Sequence, residues 1–236
     1  LWNNMCFDEK VGTKIMTEND KLDILYKYQE MDELSKEQIK QAIRLTRDKS
    51  SLVRLEAAEC LFQEYPTTAR VLMRLAKDRN ELVRVSAYET LGLYSSEAVE
   101  IFLKNAMNKE RKALALSYCI GAWGDVAVVR NNNLREKLAY LKQFEKKRKV
   151  QKSDGCILEC QTIKYLMGEK DALEKLLKYI YHPDFHLRIC AVEDMKYICN
   201  DDNKEKIIMY LKKALNDPVR AVSLLAKEYI EKIQNN

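Results

Sequence analysis

"RDKSSLVRLEAAECLFQEYP" (Arg47–Pro66) and "KDRNELVRVSAYETLGLYSS" (Lys77–Ser96) are one sentence written twice, thirty residues apart. Each has a basic residue, an Asp, three polar residues and Leu-Val-Arg. Ala follows four places after the Val, and Leu eight places after it. The anchors are Asp48, Val53, Arg54, Ala57 and Leu61, then Asp78, Val83, Arg84, Ala87 and Leu91, with Gly92 closing the second copy. Self-similarity at such a period marks a repeat architecture, in which each unit buries its apolar face only by stacking on its neighbours.

Later copies are looser. "NKERKALALSYCIG" keeps Ile120-Gly121 and has Ala in the Arg slot. "SDGCILECQTIKYLMG" offers Leu158 and Leu166, with Glu159 read in the Arg slot. "HPDFHLRICAVEDMKYI" restores Leu187, Arg188, Ala191 and Met195. "NDPVRAVSLLAKEYI" supplies Asp217, Val222, Ala226 and Ile230. A wider gap separates the third copy from the fourth.

Amphipathic helices lie between the copies. Ser35 with Gln38 forms a capping box, and Thr67 after Pro66 is the expected N-cap of the next one. Another begins at Ser96. Leu173, Leu176, Leu177 and Ile180 make one apolar stripe, as do Ile207, Ile208, Leu211 and Leu215. The helices carrying the Val-Arg motif are apolar on two sides. In the first, only Glu56, Glu59 and Gln63 form a polar line. Such a helix is sandwiched between its own partner and the neighbouring units.

The expectation is an all-α, right-handed α–α superhelix of about six helix pairs. Its units fall near 35–66, 67–95, 96–124, 125–168, 169–200 and 201–234. A capping helix lies within 18–34, and 1–17 carries no assigned structure. "DKSSLVRLEAAECL" and "DRNELVRVSAYETLG" resemble HEAT repeats of the armadillo superfamily. The resemblance implies a curved stack whose second helices line the concave face, and binding more often than catalysis.

Composition agrees with a helical fold. The 236 residues are 33% charged and 47% hydrophobic, and only six glycines and three prolines leave little material for a β-meander. Seven scattered cysteines show no disulfide framework, which points to free thiols in a reducing, cytoplasmic setting. The apolar run Ala113–Val129 contains two glycines and Asp125 and is shorter than the ~20 residues that cross a bilayer. No membrane span is expected, and the first residues lack the layout of a signal peptide. Net charge is +5, and the segment Lys142–Lys152 accounts for all of it, with six bases and one acid. The balanced remainder argues against a uniformly basic nucleic-acid binder.

Candidate functional residues follow from the repeat register. Arg54, Arg84 and Arg188, with Asp48 and Asp78, suit a ladder of ion pairs between units. The polar line of the second helices is read as Glu56, Glu59, Gln63, Ser86, Glu89, Tyr118, Gln161, Lys164, Glu193, Tyr197 and Glu228. On a concave face it would suit a basic peptide or protein surface; the plain alternative is a solvated helix face. The basic segment Lys142, Lys146, Lys147, Arg148, Lys149 and Lys152 ends the helix "NLREKLAYLKQFEKKRK". It suits an acidic partner or phosphates, or simply a solvated helix end.

His182, His186, Cys190 and Asp194 recur at four-residue steps. The types suit zinc, but without a paired Cys motif they are read as a turn and core positions. Gly121 and Gly124 are read as helix stops. Nucleotide-loop, nucleophile-elbow and metalloprotease motifs are absent. The superfamily also contains DNA glycosylases, for which Trp123 and Asp125 would be the candidates, and bilin lyases, for which nothing singles out a pigment site.

Taken together, the residues lead to a non-catalytic, cofactor-free protein-interaction module: a scaffold, adaptor, regulator or inhibitor. Nucleic-acid binding or base excision is the alternative.

Overall fold

In the computed structural model, residues 16–235 are described. They form fourteen α-helices and one 3-10 turn: α1 (Glu18–Gln29), α2 (Lys36–Leu45), α3 (Ser51–Glu59), α4 (Pro66–Leu75), α5 (Glu81–Gly92), α6 (Glu97–Lys109), α7 (Ala113–Arg130), α8 (Leu134–Glu145), α9 (Arg148–Gln151), α10 (Asp154–Leu166), α11 (Asp171–Leu177), the 3-10 turn Lys178–Tyr181, α12 (Phe185–Tyr197), α13 (Lys204–Ala214) and α14 (Arg220–Asn235). The expected segment 1–17 lies outside the described residues except for its last two. Thr17 caps α1 in a reciprocal box with Asp20.

Local sequence sets the helix starts. Gln38 accepts from the Ser35 amide, as the capping box requires. Asn80 accepts from the amides of Leu82 and Val83, and Asp184 from that of His186. The start of α4 differs from expectation: its N-cap is Tyr65, not Thr67. The fixed φ of Pro66 suits the first helical position, and Thr68 Oγ1 accepts from the Tyr65 amide.

The helices form a HEAT-like solenoid. Helices α3, α5, α7, α10, α12 and α14 stack one on the next, and α2, α4, α6, α8, α11 and α13 form the second layer. Helix α1 closes the N-terminal end against α3. Ala57 and Ala87 are fully buried, as close helix stacking demands.

The two glycines expected to stop helices lie inside α7. A Cβ on Gly124 would fall 2.3 Å from Ile163 Cγ1, so this glycine lets α7 and α10 touch. Helix α7 therefore runs on to Arg130, past the unit end expected at 124. It is long and apolar enough to cross a bilayer, yet it is mostly buried among α5, α6 and α10.

The turns are tied by a ladder of ion pairs. Arg54 donates through Nε and Nη2 to both oxygens of Asp78, at 2.8 and 2.9 Å. Arg84 grips Glu110 in the same way, and Arg188 grips Asp217. Lys21 of α1 supplies the terminal rung to Asp48. Two rungs are missing at the Arg position, four residues after N-caps Lys112 and Ser153. In the third unit it holds Leu116 rather than the expected Ala, because the match of Ile120-Gly121 set that unit three residues out of step. In the fourth it holds Ile157 rather than Glu159.

There the basic insertion takes over. The long helix expected over it is broken at Lys146–Lys147 into α8 and α9. Lys149 Nζ reaches the carbonyls of Met107, Asn108 and Glu110, satisfying the open end of α6. Lys147 binds Asn108, and Lys142 pairs with Glu169. Of the cluster, Lys146, Arg148 and Lys152 are exposed and make no side-chain hydrogen bond or ion pair among the described residues.

A carboxylate-lined cleft as candidate active site

Counting from the N-cap puts the second helices in one register: Ser50, Asn80, Lys112, Ser153 and Asp184. Six residues on come Glu56, Ser86, Tyr118, Glu159 and Cys190. Nine on come Glu59, Glu89, Gly121, Thr162 and Glu193. Thirteen on come Gln63, Leu93, Asp125, Leu166 and Tyr197. These rows form the inner face.

The register corrects two expected site residues. Aligning Glu159 with Arg54 placed the fourth unit two residues out of step. Lys164 in fact stands eleven after its N-cap, where the other helices carry Leu61, Leu91, Trp123 and Met195. It is 3% exposed and pairs with Glu145 at 2.9 Å. Gln161 is also buried and donates to Glu145 at 2.7 Å. Both face the insertion rather than the concave surface, and Glu159 takes the inner position instead.

Other expected residues are brought to the inner face but already engaged. Gln29 of α1 donates to Glu56 and Glu59, while Gln63 accepts from the Leu34 amide. Ser86 is buried against the Leu55 carbonyl. Glu228 lies on α14 with Lys232, apart from the cleft. Glu89, Tyr118 and Glu193 are open to the cleft.

That cleft has a volume of about 950 Å³ and is walled by α5, α7, α10 and α12. Glu89, Tyr118, Glu159, Cys190, Glu193 and Asp194 face it, and Leu114 and Leu158 give it apolar surface. The register slip in the fourth unit hides Glu159 from the sequence pattern. Asp194 enters that pattern only through the four-residue His/Cys/Asp series, although it follows Glu193 on the inner side of α12, and Asp125 enters it only beside Trp123.

Gly121 makes room for Glu159: a Cβ there would lie 3.0 Å from Glu159 Oε2. The Glu159 carboxylate has no hydrogen-bond partner among the described residues. Thr162 donates to Asp194 Oδ2 at 2.7 Å. Tyr197 donates to Asp125 Oδ1 at 3.1 Å, joining α12 to α7 across the intervening α10.

Crowded carboxylates away from water favour their neutral forms. Burial, then the nearby Asp194, holds Glu159 well above the usual range. Burial pushes Asp194 up to about 7 and Asp125 to about 6, with their Thr162 and Tyr197 hydrogen bonds opposing. Burial also raises Glu89, helped by Glu193, and raises Glu193 against the pull of Lys196. The Cys190 thiol is pushed up to about 12 by burial, then by Glu159, so it stays a thiol and is not a ready nucleophile. The cleft thus gathers carboxyls that burial and mutual repulsion all shift toward the neutral form, most strongly at Glu159.

The histidines sit at its rim on separate partners. His182 Nε2 is 3.2 Å from Asp154 Oδ2, and His186 Nδ1 is 3.0 Å from Asp184 Oδ1. Among the described residues no group of three or more His, Cys, Asp or Glu is arranged to hold a metal ion. Trp123 is fully buried and packs edge-on to Tyr140, so it cannot stack on a base as the excision alternative requires.

The fold and cleft define a HEAT-like helical solenoid with an acidic inner pocket. No family model and no curated protein matches the sequence. Among solved structures, the chain is similar to the complex of CpcE and CpcF of phycocyanin lyase from Nostoc sp. PCC7120. The TM-score is 0.58 at 14% identity, over 98% of this chain and 99% of that one. This likeness shows the fold. It also overturns the expectation of a non-catalytic, non-enzymatic module, because the neighbour over nearly the whole length is part of an enzyme.

Proposed function

We propose that the chain is a solenoid subunit of an enzyme of lyase type, with the carboxylate-lined cleft as its substrate site. The observation that carries the reading is the unpartnered Glu159 carboxyl beside Asp194 in that cleft, on a fold shared with a phycocyanin lyase complex. Lyase chemistry adds X–H across a double bond or reverses the addition. A neutral acid gives its proton to one carbon as X bonds to the other, and the resulting carboxylate takes the proton from X–H. The pair ends as it began, with no oxidant or reductant consumed. An acid whose neutral form is favoured by burial suits both directions. In this reading Glu159 is the proton donor and Asp194 its coupled neighbour.

The rest of the inner face sets the partner. The exposed acids Glu89 and Glu193 at the mouth suit a protein with a basic or mixed-charge surface, and the solved neighbour is itself a complex of two chains. We place the activity in the cytoplasm, where the six free cysteines among the described residues would stay reduced.

The test is titration of the purified chain with an open-chain tetrapyrrole, followed by transfer to apo-phycocyanin. A saturable absorbance change is expected. Glu159→Gln should keep binding and abolish transfer. No spectral change with the wild-type chain at saturating pigment would overturn the reading.

A further inference from the structure

One pattern in the sequence is left unused by the cleft. At each of the first three turns the paired acid is bracketed by bases: Arg47-Asp48-Lys49, Lys77-Asp78-Arg79 and Lys109-Glu110-Arg111-Lys112. The acids are spent within the fold, on Lys21, Arg54 and Arg84 respectively. The bracketing bases are not. All are exposed, and none makes a side-chain hydrogen bond or ion pair among the described residues. Lys77 alone has a neighbour of note, lying over the Phe102 ring.

The fold does not need these bases. Its sixth-unit turn is Asn216-Asp217-Pro218, and it carries the same Arg–Asp rung with no flanking cation. Seven free cations therefore line one edge of the first three units, on the turn side of the stack. A cavity of about 730 Å³ opens between the second and third brackets, walled by Lys77, Phe102, Lys109 and Lys112.

We infer that this edge binds an extended acidic protein segment, one carboxylate to each bracket. The spacing carries the choice. Successive units stand ~10 Å apart. An extended polyproline-type chain rises ~3.1 Å per residue with three residues per turn, so acids at every third position repeat at ~9 Å on one face. A duplex strand presents a phosphate every ~3.4 Å of axis, so most would fall against the embedded Asp48, Asp78 and Glu110 rather than on the cations. The cavity would take a bulkier side chain between the second and third acids, with Phe102 as its wall.

The experiment is fluorescence anisotropy on the full chain with four labelled probes. One is a peptide with Glu at every third residue; the second has the same composition with its Glu residues in one block. The third is single-stranded DNA of equal charge, and the fourth a phosphatidylserine vesicle. The variant Lys49→Glu/Arg79→Glu/Arg111→Glu reverses one exposed base per turn and leaves every rung of the ladder intact. The spaced peptide should bind saturably, about tenfold tighter than the block peptide given three or more weak exposed pairs. The triple variant should lose that binding, with an unchanged melting temperature and helical circular dichroism as the control for folding. Equal affinity for the block peptide, tighter binding of DNA or vesicles, or undiminished binding by the folded variant would each overturn the inference.

Discussion

Lys164 Nζ lies 2.9 Å from Glu145 Oε2, at a position where the other second helices bury Leu, Leu, Trp or Met. The lysine holds the insertion helix α8 onto the stack, with Gln161 donating to the other carboxylate oxygen. Removing the acid alone strands a buried ammonium. Glu145→Ala should cost about 3 kcal/mol, whereas replacing the pair together, Glu145→Leu with Lys164→Met, should be neutral or stabilising by ~1 kcal/mol. Urea unfolding of the Glu145→Ala variant and of the double variant measures both.

Gly121 bears on the chemistry more than on stability. A methyl group there meets only the end of the Glu159 side chain, which can swing away. Gly121→Ala should leave the melting temperature nearly unchanged and displace the carboxyl, reducing turnover by up to about 10²-fold. Gly124→Ala should do the reverse: its Cβ would collide with the body of Ile163, costing ~1–3 kcal/mol. Comparing melting temperature with transfer rate separates the two glycines.

Stability should fall from pH 5 to pH 8. Burial raises the folded-state pKa of Asp125 to about 6 and of Glu59 and Asp194 to about 7, from ordinary values of 3.8 to 4.5. Between those limits the folded chain binds more protons than the unfolded one. Its stability is greatest at the acid end of the window and is lost as pH rises through 6 and 7. The ladder acids Asp78, Glu110 and Asp217 are shifted downward against burial by their arginines, so they weaken the fold only below the ordinary carboxylate range. Asp194→Asn should flatten the slope between pH 5 and 8, read from melting temperatures in a buffer series. An unchanged slope would show that Asp194 is ionised throughout.

The Asp125–Tyr197 bond is testable alone. Tyr197→Phe removes a donor that favours the carboxylate, so Asp125 should titrate above its present value of about 6. Carbon-detected NMR of the aspartate carboxyls reports that shift. The tyrosine ring is 58% exposed, so stability should hardly change.

Much of this architecture was legible in the chain because stacking forces each unit to repeat the same demands. Asp48, Asp78 and Arg54 announced the ladder through spacing alone. The inner face was legible only where the motif stayed intact, at Glu59, Glu89 and Glu193. In the fourth unit the Arg was gone, and apolar matches at Leu158 and Leu166 drew the register two residues off. Helix caps locate such units better than core residues do, because a cap must sit at the first turn while leucines fit several phases. Nor could spacing show that Lys149 turns inward, since its partners are backbone carbonyls without a sequence signature.

Among the described residues, the buried apolar side chains fall into two clusters. One runs from α1 to α10 and the other from α10 to α14, and α10 gives Cys156, Cys160 and Ile163 to the first and Leu158 to the second. That seam coincides with the two missing rungs. Unfolding should therefore proceed in two cooperative blocks, with amides of α12 to α14 exchanging with deuterium ahead of those of α5 and α7. The cleft straddles the same seam, so a substrate bridging Glu89 and Glu193 would lend the weaker block the cohesion of the stronger one.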